Sequence, residues 1–511
     1  MGVRFMSKLL SNTFVMLVGV ILILPACASK PQPFSVGEFQ QRASYNKSLI
    51  DENQQPIIES IDLYQAMARA IKYNLNYRVK IAESKLSRSE FGLMHHSLLP
   101  KAIANANYTA RNNFLASSSY NIETKTSNFG ASTSQDKAQN TSDLAFSWNI
   151  LDFGLSYIRA QQAGDKALIS AELQNKVVVS LLEEVRRAYW LAISSQRMAD
   201  KLKALKKRIR NAQKNTRRIS ISGETPTSDA LLQERELIKI SDTISKMQRE
   251  HNTALTELAI LMGIRPGSPI KLTSNSGNAL YTKLNLSSEE MVDMAIRDRT
   301  ELHEVWYQQR INRREAKAAM LEMLPGLNIF LGNDWSNNSF LRNSNWVSWG
   351  AKASWNLMKI FKYPLRKKVV EDKDRVLQAR AMALTITVMT QVHVSRTNYR
   401  QSFRELGIAR DYRNIQNKLI KQLRIEAAAD LISENDLLRE ELNTLIAETK
   451  FDLANANAQS SFGNLFTTIG WNPISEVEMG LSTAEITNSL RSSWQYPEKL
   501  IQQNNLRLVM K

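Results

Sequence analysis

One cysteine, five histidines and twelve prolines in 511 residues exclude several kinds of protein at the outset. A single thiol, Cys27, rules out an intrachain disulfide and a cysteine-rich metal site. The histidines are scattered (His251, His303, His393) or adjacent (His95-His96), and side chains next to each other on a helix diverge, which is poor spacing for holding one ion. No phosphate-binding glycine loop with lysine, no nucleophile elbow and no metalloprotease helix occurs. The sequence thus carries no catalytic constellation and implies no cofactor and no metal. After Leu24 there is also no run of the ~20 apolar residues that a membrane-spanning helix needs.

The first 26 residues do carry a signal. Arg4 and Lys8 precede an apolar run from Leu9 to Leu24, followed by Pro25-Ala26-Cys27. This reads as a lipoprotein signal peptide ending at a lipobox-like site, with Cys27 as the lipidated residue. Acyl chains on Cys27 would hold the mature N-terminus at a membrane surface. Neither Ala28 nor Ser29 is the aspartate that retains lipoproteins at the inner membrane of enteric bacteria, so delivery to the outer membrane is allowed. The formal charge of +18 falls to +16 without Arg4 and Lys8. In an exported chain that excess fits a solvated or lipid-facing surface better than nucleic acid.

Most informative is a repeat. Ala70-Ile71 and Asn74 align with Ala295-Ile296 and Arg299, and Leu99-Pro100 with Leu324-Pro325, at an offset of 225 residues. Further on Trp148-Asn149 aligns with Trp355-Asn356, Asp229 with Asp436, Gly263 with Gly470 and Pro266 with Pro473, at an offset of 207. The difference places one 18-residue insertion between Pro100 and Trp148, where the Ser, Thr, Asn and Gly tract up to Thr141 reads as a mobile surface loop. The expected organisation is a lipidated segment over 27–58, one unit over 59–275, a second over 284–475 and a tail over 476–511.

Within each unit the periodicity changes in the same order. A helical pattern over 60–98 stops at Pro100, and Pro100 and Pro325 mark where strands begin. Alternation follows, with Leu144, Phe146 and Trp148 opposed by Ala145, Ser147 and Asn149. It recurs as Val347, Trp349, Ala351, Ala353, Trp355 and Leu357 opposed by polar and small residues. Strands facing lipid and water alternately need this pattern, with Trp148, Trp349 and Trp355 as membrane-interface aromatics. After Gly154 a proline-free helical pattern runs from about Leu155 to Ile221, about 100 Å at 1.5 Å per residue, too long for a compact domain. Beyond Gly223-Glu224-Thr225-Pro226 a second helix, capped by Thr227 or Ser228, carries a coiled-coil seam of Leu237, Ile240, Ile244, Met247, His251, Ala254, Leu258 and Leu261. Nine basic residues and no acidic one lie between Lys201 and Arg218, a solvated helix face by default.

The reading is a mainly α chain with a small membrane β-barrel. Four strands per chain cannot close a barrel and an open edge is not tolerated in lipid. Three copies would give 12 strands, an even antiparallel barrel, and conduction would be the function.

At this point the residues resemble the TolC-like outer-membrane efflux and secretion channels. The resemblance spans nearly the whole chain. It rests on the two Leu-Pro strand starts, the strand end Trp148 to Gly154, the turn Gly223 to Asp229 followed by Leu231, and the ends Leu261-Met262-Gly263 and Ile469-Gly470-Trp471. It implies a homotrimer in outer-membrane lipid with a periplasmic helical tunnel, docked at its closed tip onto a periplasmic adaptor protein and an inner-membrane pump, and no enzyme activity. It implies that the tip turns run from Gly223 to Asp229 and from Asp430 to Asp436, with Gly223, Thr227, Asp229, Asp430, Ser433 and Asp436 as the residues concerned. The sequence departs from the family pattern at Asp430, which replaces glycine, at Arg439, which replaces an acidic residue, and after Trp355, where Asp-Phe-Gly is missing. A coiled-coil envelope lipoprotein without a pore is the alternative from another class.

Overall fold

The computed structural model describes residues 32–52, 54–56, 60–222, 227–265, 267–273, 286–474 and 480–495. Cys27, Gly223 and Pro266 lie outside them, as do the side chains of Thr227 and His251. Residues 1–56 and 57–511 form separate units. In the first, helix α1 (Val36–Glu52) opens with a reciprocal cap: Ser35 N–H donates to Glu38 Oε2 at 2.7 Å and Glu38 N–H donates to Ser35 Oγ at 3.3 Å.

The second unit begins with α2 (Leu63–Tyr73) and α3 (Leu75–His96). Four strands follow: β1 (Lys101–Ala110), β2 (Ala116–Asn121), β3 (Thr126–Thr133) and β4 (Ala138–Asn149). Then come α4 (Ile150–Ser222), α5 (Thr227–Leu261), α6 (Ser288–Asp298) and α7 (Thr300–Leu321). The chain continues through β5 (Gly326–Ser336), β6 (Asn345–Ser354), α8 (Met358–Ala428), α9 (Glu434–Thr468) and α10 (Thr483–Gln495). Paired elements match in length: α2 and α6 have 11 residues, α3 and α7 have 22, and α5 and α9 have 35.

The same chemistry sets matching boundaries. Asn74 ends α2 and begins α3, its ψ of 120° breaking the helix while its side chain accepts from Tyr77 N. Arg299 does this between α6 and α7 with ψ 127° and no side-chain cap. Asn149 Oδ1 accepts from Leu151 N at 3.0 Å and Asn356 Oδ1 from Met358 N at 3.1 Å, so one asparagine turns each strand into a long helix. The first helix therefore starts at Ile150, five residues before the sequence pattern placed it, and encloses Gly154. The second strand stops at Ser354, short of the predicted Leu357, because Asn356 already serves the helix. Helix α5 likewise begins at Thr227, which is helical rather than a cap.

β1, β4, β5 and β6 form one antiparallel sheet in that order. The insertion is not the mobile loop that its composition suggested: β2 and β3 pair as a separate hairpin. Serine and threonine suit a pleated strand once a turn nucleates it. Here Asn121 Oδ1 accepts from Glu123 N and Thr124 N, and Lys125 takes a φ of 53°. The chain thus has six described strands, four of them in the expected sheet.

The long helices pack in a row, α5–α4–α9–α8, with α3 and α7 flanking α4 nearer the sheet. Their seams are apolar. Met198, Leu202, Leu205, Ile209 and Ala212 of α4 meet Leu237, Ile240 and Ile244 of α5 and Leu438, Leu442 and Leu445 of α9. A larger core gathers α2, α6, α10, the middle of α4 and the last turns of α9, where Trp494 packs among Phe462, Phe466 and Trp471. The C-terminal segment thus folds back onto the body, Arg491 pairing with Asp62 at 2.5 Å.

Gly263 and Gly470 close α5 and α9 with φ of 71° and 83°. A Cβ on Gly263 would stand 2.8 Å from the carbonyl carbon of Tyr73, the last residue of α2, and one on Gly470 2.7 Å from that of Asp298, the last of α6. Gly267 shares the left-handed geometry but has open space around it. We therefore expect Gly263→Ala and Gly470→Ala to destabilise by about 1–3 kcal/mol or more and Gly267→Ala by only the ~1 kcal/mol of backbone strain. Thermal unfolding of the three variants measures the ranking.

Candidate functional site

The sheet's register sorts its side chains onto two unlike faces. Phe146 lies opposite Leu331, and Leu331 opposite Trp349; Trp148 lies opposite Ile329, and Ile329 opposite Ala351. With Ala102, Ala104, Leu144, Leu327, Val347 and Ala353 they make one largely apolar face, interrupted by Asn333, and nothing among the described residues covers it: Trp349 is 80% exposed. The other face is largely polar. Asn105 donates to Asp143 at 2.9 Å, Asp143 lies opposite Asp334, Ser348 donates to Asp334 at 2.6 Å, and Lys352 lies opposite Asn328. Strands of 10 to 12 residues are as long as a tilted membrane strand has to be.

Among the aromatics proposed from sequence, Trp148 sits at the end of β4 with its ring edge-on to Phe153 at 5.4 Å. Trp355 lies just past β6 and donates from Nε1 to Met323 O at 2.9 Å, tying strand to helix. Trp349 instead stands mid-strand in the row of Phe146 and Leu331. Pro100 and Pro325 immediately precede β1 and β5.

At the far end of the helices the second turn is fully described. Asp430 takes φ 55°, and Leu431 N donates to Glu426 O at 3.0 Å and Asp430 N to Ala427 O at 3.2 Å. This is a Schellman close in which aspartate occupies the glycine position. Ser433 then caps α9: its Oγ accepts from Asp436 N at 3.1 Å and donates to Asp436 Oδ2 at 2.7 Å. Arg439 binds the same carboxylate at 3.1 Å, so Asp436 is engaged within its own helix turn. Asp229 is exposed in the first turn of α5. Asn435 donates to Gln233 at 3.2 Å, joining the starts of α9 and α5.

Sequence reasoning missed the strongest polar links. Arg197 and Ser194 of α4 hold Asp452 of α9, and Lys201 holds Glu448 at 2.7 Å. Glu441 lies between Arg208 of α4 and Arg424 of α8, the latter at 3.2 Å. The α4 and α9 partners, more than 230 residues apart, leave no local pattern. The basic run from Lys201 to Arg218 is therefore only partly a solvated face: Lys201 and Arg208 bind α9, Arg217 reaches Glu234 of α5 at 2.6 Å, and Lys203, Lys207, Arg210 and Lys214 line an exposed stripe.

Titratable groups shifted by burial or by a hydrogen bond sit in the middle of the molecule. Arg186 is buried beneath Trp494, its Cζ 4.1 Å from the ring, and burial pushes it down to about 10. Burial raises the neighbouring Glu183 to about 7, against the pull of Arg186. His303 is raised by its hydrogen bond with Glu172 at 3.1 Å, against burial and with help from Arg297 O at 2.6 Å. Glu183 and His303 line one cavity of about 340 Å³ with Glu172, Lys176 and Arg299. No group of three His, Cys, Asp or Glu able to hold a metal occurs among the described residues, and none of their helices is long and apolar enough to cross a membrane.

Neither a protein-family model nor a curated protein matches the sequence. Solved structures do match in fold. Similarity extends over 82% of this chain and 96% of CusC, described as undergoing transmembrane channel formation, with a TM-score of 0.60 and 14% identity. It covers 80% of this chain and 89% of the MtrE outer membrane channel of Neisseria gonorrhoeae in its open state (TM-score 0.61, 14% identity). For the CmeC outer membrane channel of Campylobacter jejuni the figures are 84% and 89% (TM-score 0.61, 12% identity). The fold is that of outer-membrane channel proteins. More narrowly, it is the TolC-like outer-membrane factor fold.

Glu183 and His303 give stability the same dependence on pH. Glu183 binds its proton more tightly folded than unfolded, so stability falls as pH rises from about 4.5 towards 7. What His303 contributes is complete below 6.5 and is lost as pH rises through its higher folded value. We expect the melting temperature to fall between pH 5 and 8, and Glu183→Gln to flatten most of that decline. Calorimetry across that range measures both.

Proposed function

We propose that this protein is the outer-membrane conduit of a tripartite efflux or secretion system, assembled as a homotrimer. The carrying observation is the four-stranded sheet, apolar on one face and largely polar on the other, with β1 and β6 each paired on one side only. In lipid an unpaired strand edge leaves N–H and C=O groups without partners at several kcal/mol each, so β1 of one copy must meet β6 of the next. Three copies close a 12-stranded barrel of the even-stranded type found in outer membranes. The polar faces then line a water-filled lumen, which continues between the helices α4 and α8 of 73 and 71 residues.

The paired element lengths and the matching breaks at Asn74 and Arg299 support an internal duplication, which makes each subunit contribute two similar halves to the tube. Cys27 is the lipid attachment point, fixing the N-terminus to the outer membrane. The ends at Asp229, Asp430, Ser433 and Asp436, with Gly223 and Thr227, form the periplasmic tip that meets an adaptor protein coupled to an inner-membrane pump. The conduit itself performs no chemistry, and its neighbours in fold are channels. A coiled-coil lipoprotein without a pore would need neither the uncovered apolar face nor the polar face behind it.

Planar-bilayer conductance of the purified protein, with its oligomeric mass in the same detergent, tests this reading. A trimer with small discrete steps supports it; a monomer or dimer without current sinks it. Glu441 accepts from arginines of two different helices near the tip and its side chain is only 12% exposed, so Glu441→Gln weakens that junction by about 1–3 kcal/mol. We expect its conductance steps to exceed those of wild type, and those of Asp436→Ala, whose carboxylate serves only its own helix turn, to stay nearer wild type.

A further inference from the structure

We infer that the contact between neighbouring copies repeats, residue for residue, the seam that α4 makes with α7 and α9 inside one chain, with α8 of one copy seated against α3 and α5 of the next. The inference rests on the trimeric reading above and names the register that trimer uses. Within the chain, α4 and α7 meet antiparallel through Arg159 with Glu315, Gln162 with the carbonyl of Ile311, and Asp165 with Arg310 at 2.5 Å and Arg314. Carrying α4 forward by 207 residues and α7 back by 225, the two repeat offsets, turns these residues into Arg366 and Glu90, Val369 and Leu86, and Asp372 with Lys85 and Ser89. One pair keeps its identity, one keeps its charges with lysine for arginine, and the third becomes apolar on both sides.

Burial follows the same correspondence with opposite sign. Gln162 and Asp165 are buried in the α4–α7 seam, whereas Val369 is 66% exposed and Leu86 59%. Ile158 and Ala318 are buried, and their counterparts Leu365 and Leu93 are exposed. Toward the tip, Leu205, Ala212, Leu438 and Leu445 are buried together. Their counterparts Tyr412, Leu419, Leu231 and Ile238 are all apolar or aromatic, and all are exposed. Side chains of core type, set at core spacing along the helices α3, α5 and α8, are uncovered because the helix that buries them belongs to another copy. Among the described residues Lys85 and Glu90 form no ion pair, Asp372 reaches only the exposed Arg375, and Arg366 already binds Glu315 and Glu322. Lys85 of one copy therefore binds Asp372 of the next, Glu90 binds Arg366, and Leu231 and Ile238 pack on Leu419 and Tyr412.

Charge exchange tests the register on the full-length protein in detergent. Lys85→Asp and Asp372→Lys alone should each lower the temperature at which trimers dissociate by several degrees, and the double variant should recover most of that loss. A bismaleimide should link Lys85→Cys/Asp372→Cys into dimers and trimers while neither single cysteine variant forms a ladder. A wild-type trimer whose two reversals act independently, with no ladder from the cysteine pair, overturns the register and leaves the trimer standing. A wild type that is not trimeric overturns the reading on which the register rests.

Discussion

A strand edge cannot be left open in lipid, and on the proposed reading that constraint organises everything else in this chain. The apolar face of the sheet, with Phe146, Leu331 and Trp349 uncovered in one row, is stable only against hydrocarbon. Hydrocarbon in turn offers no partner for the free N–H and C=O groups of β1 and β6. A water-soluble protein could leave those edges to solvent or shield them with charge. Here the sheet's own hydrophobicity disfavours that option, which is why we propose closure by further copies.

The helices extend the same logic into water. Each long helix starts from a strand end through one asparagine, Asn149 or Asn356, so the spacing of strands in the sheet sets the spacing of the long helices. Apolar residues hold the seams, while the links Arg197–Asp452, Lys201–Glu448 and Arg208–Glu441 fix the register of α4 on α9. Exposed pairs of this kind contribute little energy, about 0–1 kcal/mol each; Asp452 and Glu441 are mostly buried and act more through the penalty for misalignment. The left-handed glycines Gly263 and Gly470 stop α5 and α9 where they meet the last residues of α2 and α6, which sets where the long helices meet the core around α2 and α6.

How much of this could be read from the sequence depended on how local each signal is. Strands after Pro100 and Pro325, the seam from Leu237 to Leu258 and helices of some seventy residues are written in periodicity and in two constant offsets, so they were legible; the breaks at Asn74 and Arg299 fall inside what reads as one helical pattern and appear only in the backbone. The start of α4 was misplaced because Gly154 reads as a stop in a window, while the capping carboxamide of Asn149 outweighs it. The β2–β3 hairpin was hidden because serine and threonine serve loop and strand equally, and only the Asn121 turn decides. The burial that raises Glu183, the bond from Glu172 that raises His303 and the link from Arg208 to Glu441 depend on residues far apart in the chain. No pattern within one segment could show them. At the turn between α8 and α9, the capture of Asp436 by Ser433 and Arg439 within its own helix turn became visible only in three dimensions.

Amide hydrogen exchange on the membrane-embedded protein probes the edge constraint most directly, through the N–H groups of β1 and β6 that point away from β4 and β5. If closure by neighbouring copies is correct, these amides exchange as slowly as those of the central strands β4 and β5. Fast exchange confined to the outward amides of β1 and β6, with β4 and β5 protected, would show an open sheet and contradict the barrel.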